Sequence, residues 1–165
     1  MKKIIKRTLF TIILIPVILL RLVVTPYIVV PILNNISLSG FSRQIYKYPL
    51  PQNTVFIEKE AVCGKLNGNG NGMDFFACFV IKSDMSIEQL SQYYKDKKFK
   101  PAKKDKKHVV GIEVMPVNGE QLITDYVKYE KVRFSKLKDI NDYSGYYVVM
   151  IYDGGYSALF DIRGH

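Results

Sequence analysis

The chain has 165 residues, room for one core plus an appendage, and sets 24 Lys+Arg against 15 Asp+Glu for a formal charge of +9. Five of those cations (Lys2, Lys3, Lys6, Arg7 and Arg21) lie in or before an apolar N-terminal run, which leaves 19 against 15, or +4, on the rest. So mild a balance excludes the broad basic field of a nucleic-acid binder, and no nucleic-acid partner is expected.

Residues 1–7 form a basic N-terminus, and residues 8–33 are apolar apart from Arg21. Twenty-six residues make about 39 Å of helix, enough for one crossing of a bilayer core of about 30 Å and too little for two. Pro16, Pro26 and Pro31 should bend such a helix without preventing it. Lys and Arg beside a first apolar segment stay on the cytoplasmic side, so the expected arrangement is single-pass, with the C-terminal part outside the cytoplasm and membrane lipid as a partner. The alternative is secretion after cleavage of a signal peptide near Ser39, where Ser37-Leu38-Ser39 has the small-x-small form. Arg21 falls near the middle of the apolar run, at a cost of about 2.5–3.5 kcal/mol on insertion scales. Either its long side chain snorkels to a headgroup layer, or it pairs with an acidic residue of another membrane protein.

Residues 34–53 read as a linker, extended at Pro49-Leu50-Pro51, and residues 54–165 as the folded domain. Residues 54–62 and 73–81 have strand composition and flank a glycine-rich loop, which suggests a β-hairpin. Ser86-Ile87-Glu88-Gln89 matches a capping box, opening a helix over about residues 87–98 whose Ile87, Leu90 and Tyr94 share one face. Residues 108–114 read as a strand. The i, i+4 recurrence of Leu122 with Tyr126, and of Ile123 with Val127, favours a short helix. Residues 145–152 are strongly strand-like, and Asp153-Gly154-Gly155-Tyr156 reads as a turn before a final strand over 157–162. The expected class is α+β: a single N-terminal transmembrane helix, then a small domain with an about five-stranded, largely antiparallel sheet covered on one face by one or two helices.

A hairpin turning between Gly70 and Asn71 sets Cys63 opposite Cys78, at a spacing of about 4.5–5.5 Å that a disulfide can bridge. An extracytoplasmic compartment permits that bond, and two unlinked buried thiols are the other outcome. Gly68, Asn69, Gly70, Asn71, Gly72 and Asp74 invite a ligand-loop reading, with glycine amides turned toward an anion. A strand rather than a helix follows, and the asparagines lack the carboxylates a hard cation wants, so a plain hairpin loop explains them as well. His108 and His165 match no metal-ligand spacing, no serine sits in a nucleophile elbow, and Glu58 and Glu60 share one strand face as solvated residues would. No catalytic residue, metal or cofactor is expected. Lys97, Lys98, Lys100, Lys103, Lys104, Lys106 and Lys107 crowd one stretch and could meet anionic headgroups or an anionic polymer; a solvated helix end accounts for the same run.

With the residues 63–74, Ile81-Lys82-Ser83-Asp84 and Tyr152-Asp153-Gly154-Gly155-Tyr156 in view, residues 48–165 resemble the outer domains of small membrane-anchored bacterial proteins that have no assigned activity. The resemblance implies a bacterial source and the anchored layout, and it carries over no functional residue. The function expected is a tethered, non-enzymatic module that binds a partner protein or an anionic surface; the alternative is a small-ligand protein or enzyme using the glycine-rich loop.

Overall fold

A computed structural model describes residues 2–165 except Asn69, Ile123 and residues 129–131, with residues 2–11 given by their backbone alone. Helix α1 spans Lys2–Tyr46 with Pro16, Pro26 and Pro31 inside it. From Ile12 to Leu33 its side chains are mostly exposed; beyond, Asn34, Phe41, Ser42 and Ile45 are buried. These positions, with Leu38, fall at helical spacing, so one stripe of the helix packs on the sheet. The stretch read as a linker over 34–53 is therefore helical to Tyr46, and only the last few residues connect.

Strands β1 (Thr54–Gly64) and β2 (Met73–Ser83) form the expected hairpin, each two residues longer than its composition indicated. Helix α2 (Ile87–Tyr94) starts at the expected capping box, with Ser86 Oγ accepting from Gln89 N and Gln89 Oε1 accepting from Ser86 N. It ends sooner than expected, at Tyr94, because the chain turns into strand β3 (Lys98–Phe99), which pairs with β4 (Val110–Gly111) as a ribbon. The strand expected over 108–114 is thus divided: β4 belongs to the ribbon and β5 (Glu113–Pro116) to the main sheet.

Strands β6 (Gln121–Leu122) and β7 (Val132–Arg133) form a second ribbon in place of the short helix read there. Thr124 Oγ1 accepts from both Tyr126 N and Val127 N, a local turn that competes with helical bonding. Ile123, half of one i, i+4 pair, lies outside the described residues. Strand β8 (Tyr146–Tyr156) runs straight through the expected turn at residues 153–156, its pairing with β2 shifting register between Met73 and Phe75. No final strand follows among the described residues; the chain ends in a 3-10 turn at Ile162–Gly164.

The main sheet has the order β1-β2-β8-β5, antiparallel throughout. Central β2 is buried on both faces: its odd-numbered residues Phe75, Ala77, Phe79 and Ile81 meet α1 and α2, and its even-numbered Phe76, Cys78 and Val80 meet Leu122, Val132, Phe134 and Leu137. The α+β class holds. Helices cover one face as expected, while the other is covered by an irregular segment that periodicity did not reveal.

Candidate functional site

The lysine-rich stretch is a strap drawn across the helix-covered face. Its base is the β3–β4 ribbon, with Lys98 paired to Gly111 and Phe99 to Val110. One fastening is to α1, where Gln44 Nε2 donates to Lys100 O (3.1 Å) and Lys100 N donates to Gln44 Oε1 (2.9 Å). The other is to the end of β8. There the buried Asp153 accepts from Ala102 N (2.7 Å) and from Tyr156 Oη (2.5 Å), and its second oxygen meets His108 Nε2 at 2.9 Å. Burial, then the bond to Asp153, pushes the Tyr156 hydroxyl well above its usual pKa, so Tyr156 stays a donor.

The strap sorts its lysines into two groups. Lys106 Nζ donates to Gly154 O (2.7 Å) and Gly155 O (3.2 Å) and lies 4.1 Å from the Tyr156 ring centroid; Lys103 Nζ lies over Phe75 and Tyr156. Both serve the fold. Lys98, Lys100, Lys104 and Lys107 are exposed, and no contact engages their ammonium groups among the described residues. Lys97 turns elsewhere, 5.5 Å over the Tyr48 ring.

Between strap and α1 lies an open groove of about 1250 Å³, bordered by all six of those lysines other than Lys97, with Asp105 the acidic residue among them. Its wall on α1 runs from Val30 to Gln44 and is apolar at Leu33, Ile36 and Phe41; Val109 and Leu159 close it from the other side. Ile36 is 62% exposed, Val109 60% and Leu159 61%, so the groove presents hydrocarbon to whatever fills it.

Below the strap, the C-terminal turn grips the same helix. Asp161, fully buried, accepts from Asn34 Nδ2 (2.8 Å) and pairs with Arg163 (2.6 Å), whose guanidinium also donates to Asn35 Oδ1 (2.7 Å) and Pro31 O (3.3 Å). The Arg163 hydrogen bonds outweigh burial and hold the Asp161 pKa down to about 2. One turn lower, Tyr27 meets Phe160 edge to face at 5.2 Å. Phe160 is 42% exposed and Ile162 81%, so with Leu159 the C-terminal segment carries three exposed apolar side chains, one of them against the apolar stretch at Tyr27.

The glycine-rich loop is spent on structure. Lys65 N donates to Arg163 O, Gly72 N to Gly164 O, and Asp74 accepts from Leu66 N and Gly155 N. Gly64 has φ +151°, and a Cβ there would meet Arg163 O at 2.9 Å, so the loop wraps the C-terminal turn closely. Gly68, Gly70 and Asn71 are exposed and Gly72 half-buried; Asn69 lies outside the described residues. Burial, then Asp74, raises the Tyr152 hydroxyl pKa.

The cysteines are unlinked and buried. The register pairs Cys63 with Phe75 and Cys78 with Glu60, and the two thiols enter different cores on opposite faces of the sheet. This corrects the disulfide expectation: a bond between opposite faces is out of reach. Burial pushes both thiol pKa values up. Glu58 closes the 3-10 turn at Ser135–Leu137, accepting from Ser135 Oγ and Lys136 N, while Arg21 stands exposed on α1. Among the described residues no cluster of His, Cys, Asp and Glu could hold a metal ion.

Sequence reading missed Gln44, Asp153, Asp161 and Arg163. Gln44 fell in the presumed linker, Asp153 in a presumed turn, Asp161 in a presumed strand and Arg163 just past it; the signal that could have found the first is the stripe from Asn34 to Ile45. No family model, curated protein or solved structure matches the chain.

Proposed function

We propose that this is a single-pass membrane protein whose domain, held outside the cytoplasm, presses a lysine-rich strap against an anionic surface at the foot of its anchor. The observation that carries the reading is that α1 passes unbroken from its apolar stretch into the domain core. That continuity sets Phe160 beside the apolar stretch at Tyr27, and the exposed strap lysines along the turns of the same helix that follow it, up to Gln44. Apolar tips beside ammonium groups suit the boundary between hydrocarbon and headgroups. Orientation rests on Lys2, Lys3, Lys6 and Arg7, which favour a cytoplasmic N-terminus. Retention of the anchor is supported by Asn34 and Leu38, which pack on the domain from the N-terminal side of Ser39 and would leave with a cleaved peptide.

Hydrogen exchange of residues 98–109 in the full chain, embedded in nanodiscs of phosphatidylcholine or phosphatidylglycerol, tests the surface contact. The strap should be protected in the anionic disc, less so at high salt, where screening shortens to about 3 Å. Equal exchange in both discs would defeat the reading. Because Cys63 and Cys78 are buried, orientation is read from a Gln92→Cys variant on α2 exposed to an impermeant thiol reagent on intact cells; failure to label until lysis would reverse the assignment.

A further inference from the structure

We propose that the groove between α1 and the strap is a lipid site. It takes one acyl chain of an anionic phospholipid from the surrounding bilayer, with the phosphate held by Lys100, Lys104 and Lys107. The inference rests on the membrane placement above and deepens it, from a surface that attracts headgroups to a cleft that lifts a single lipid.

Three observations converge. The first is chemistry: the α1 wall is aliphatic and aromatic at Leu33, Ile36 and Phe41, Val109 faces it from the other side, and the border holds six lysines against Asp105. An apolar cleft edged by cations complements a molecule with a hydrocarbon tail and an anionic head, and complements a neutral lipid or a basic peptide poorly. The second is dimension. The wall from Val30 to Gln44 is about 21 Å of helix, and one leaflet of hydrocarbon is about 15 Å deep, half the bilayer core. At about 1250 Å³ the groove exceeds the roughly 300–1,000 Å³ of ordinary ligand pockets. The third is access. The lower end, at Val30, Leu33 and Leu159, lies where the apolar stretch of α1 finishes, so a chain can slide from the bilayer into the groove without crossing water.

The strap is built to stay open. Gln44 and Asp153 hold its two sides, and Lys103 and Lys106 are drawn against the rings and carbonyls of the sheet end, which leaves the other lysines facing out. Gly40 lines the groove, and a Cβ there meets nothing within 4 Å. A side chain can therefore start at position 40 without a clash at Cβ, which makes a large residue there the variant to block the groove.

The test embeds the full chain in phosphatidylcholine nanodiscs doped with phosphatidylglycerol carrying a diazirine in one acyl chain, and maps the photolabel by peptide mass. Label is expected on residues 36–41 and 99–109, at about tenfold the yield of the matching phosphatidylcholine analogue. Gly40→Trp should abolish that label and leave the salt-sensitive protection of the strap intact. A combined Lys98→Gln, Lys100→Gln, Lys104→Gln and Lys107→Gln variant should lose both. Undiminished label in Gly40→Trp overturns the acyl site while the surface reading stands, and loss of strap protection in the unaltered chain overturns the surface reading itself. Equal labelling by the two lipids overturns anionic selection.

Discussion

Two halves of one helix carry opposite instructions. Over residues 12–33, α1 is exposed apolar surface on nearly every side; over residues 34–46 it is polar in composition yet buries a stripe of Asn34, Phe41, Ser42 and Ile45. Hydropathy divides the chain at Asn34, and structure does not. A change in average polarity therefore need not mark the end of an element.

Truncating one residue in each half should separate the two most widely. Phe41→Ala should cost about 3–5 kcal/mol in denaturant unfolding of the detergent-held full chain, whereas Ile28→Ala, at a position 57% exposed, should leave the domain transition in place. Equal losses would mean the halves are not distinct. Next in size is the Asp161 fastening. Its carboxyl titrates near 2 in the fold and near 3.9 when unfolded, so its contribution is complete above about pH 4 and disappears as pH falls through about 2. On the order of 2 kcal/mol should be lost across that window, and in Asp161→Asn the pH dependence there should flatten; melts at closely spaced pH values decide it.

A smaller effect separates the two thiols. Cys63 lies under the packed half, beside Asn35, and Cys78 belongs to the other core. Asp161→Asn should speed native-state alkylation of Cys63 by about tenfold through local opening, with Cys78 unchanged; parallel acceleration would indicate global loosening. The reagent should add to both thiols after denaturation without prior reduction. The smallest effect belongs to Arg21→Leu in the apolar half, which should leave domain melting unaltered. Loss of a detergent-stable assembly in that variant would reveal an acidic partner helix, and an unchanged assembly would leave snorkelling.

Local signals in the sequence were dependable. The β1–β2 hairpin, the Ser86–Gln89 capping box and strand β8 each announce themselves through composition or a short motif. Register was not legible. Centring the turn between Gly70 and Asn71 assumes a symmetric loop, but Gly64 pairs with Asp74 and Glu60 with Cys78, a different register, because Asp74 closes the loop on Leu66 and the C-terminal turn fills its mouth. That small shift sends the two cysteines to opposite faces. The lysines of the candidate site stood out by density. Their division into structural and outward-facing groups did not, since it depends on Asp153, Gln44 and Tyr156, which meet the strap only in the tertiary fold.

The absence of a soft joint between Leu33 and Tyr46 has a mechanical side. A domain on a flexible tether sweeps a hemisphere, and its encounters are governed by linker length. Here Asn34, Asn35, Gln44 and Tyr46 each bond across to the domain, so the body turns only when the rod turns. For a membrane-held chain, height and heading above the bilayer are then set by the tilt of the anchor. A thicker or thinner bilayer would raise or lower the strap directly, making the molecule a lever whose working end responds to the slab that holds its shaft.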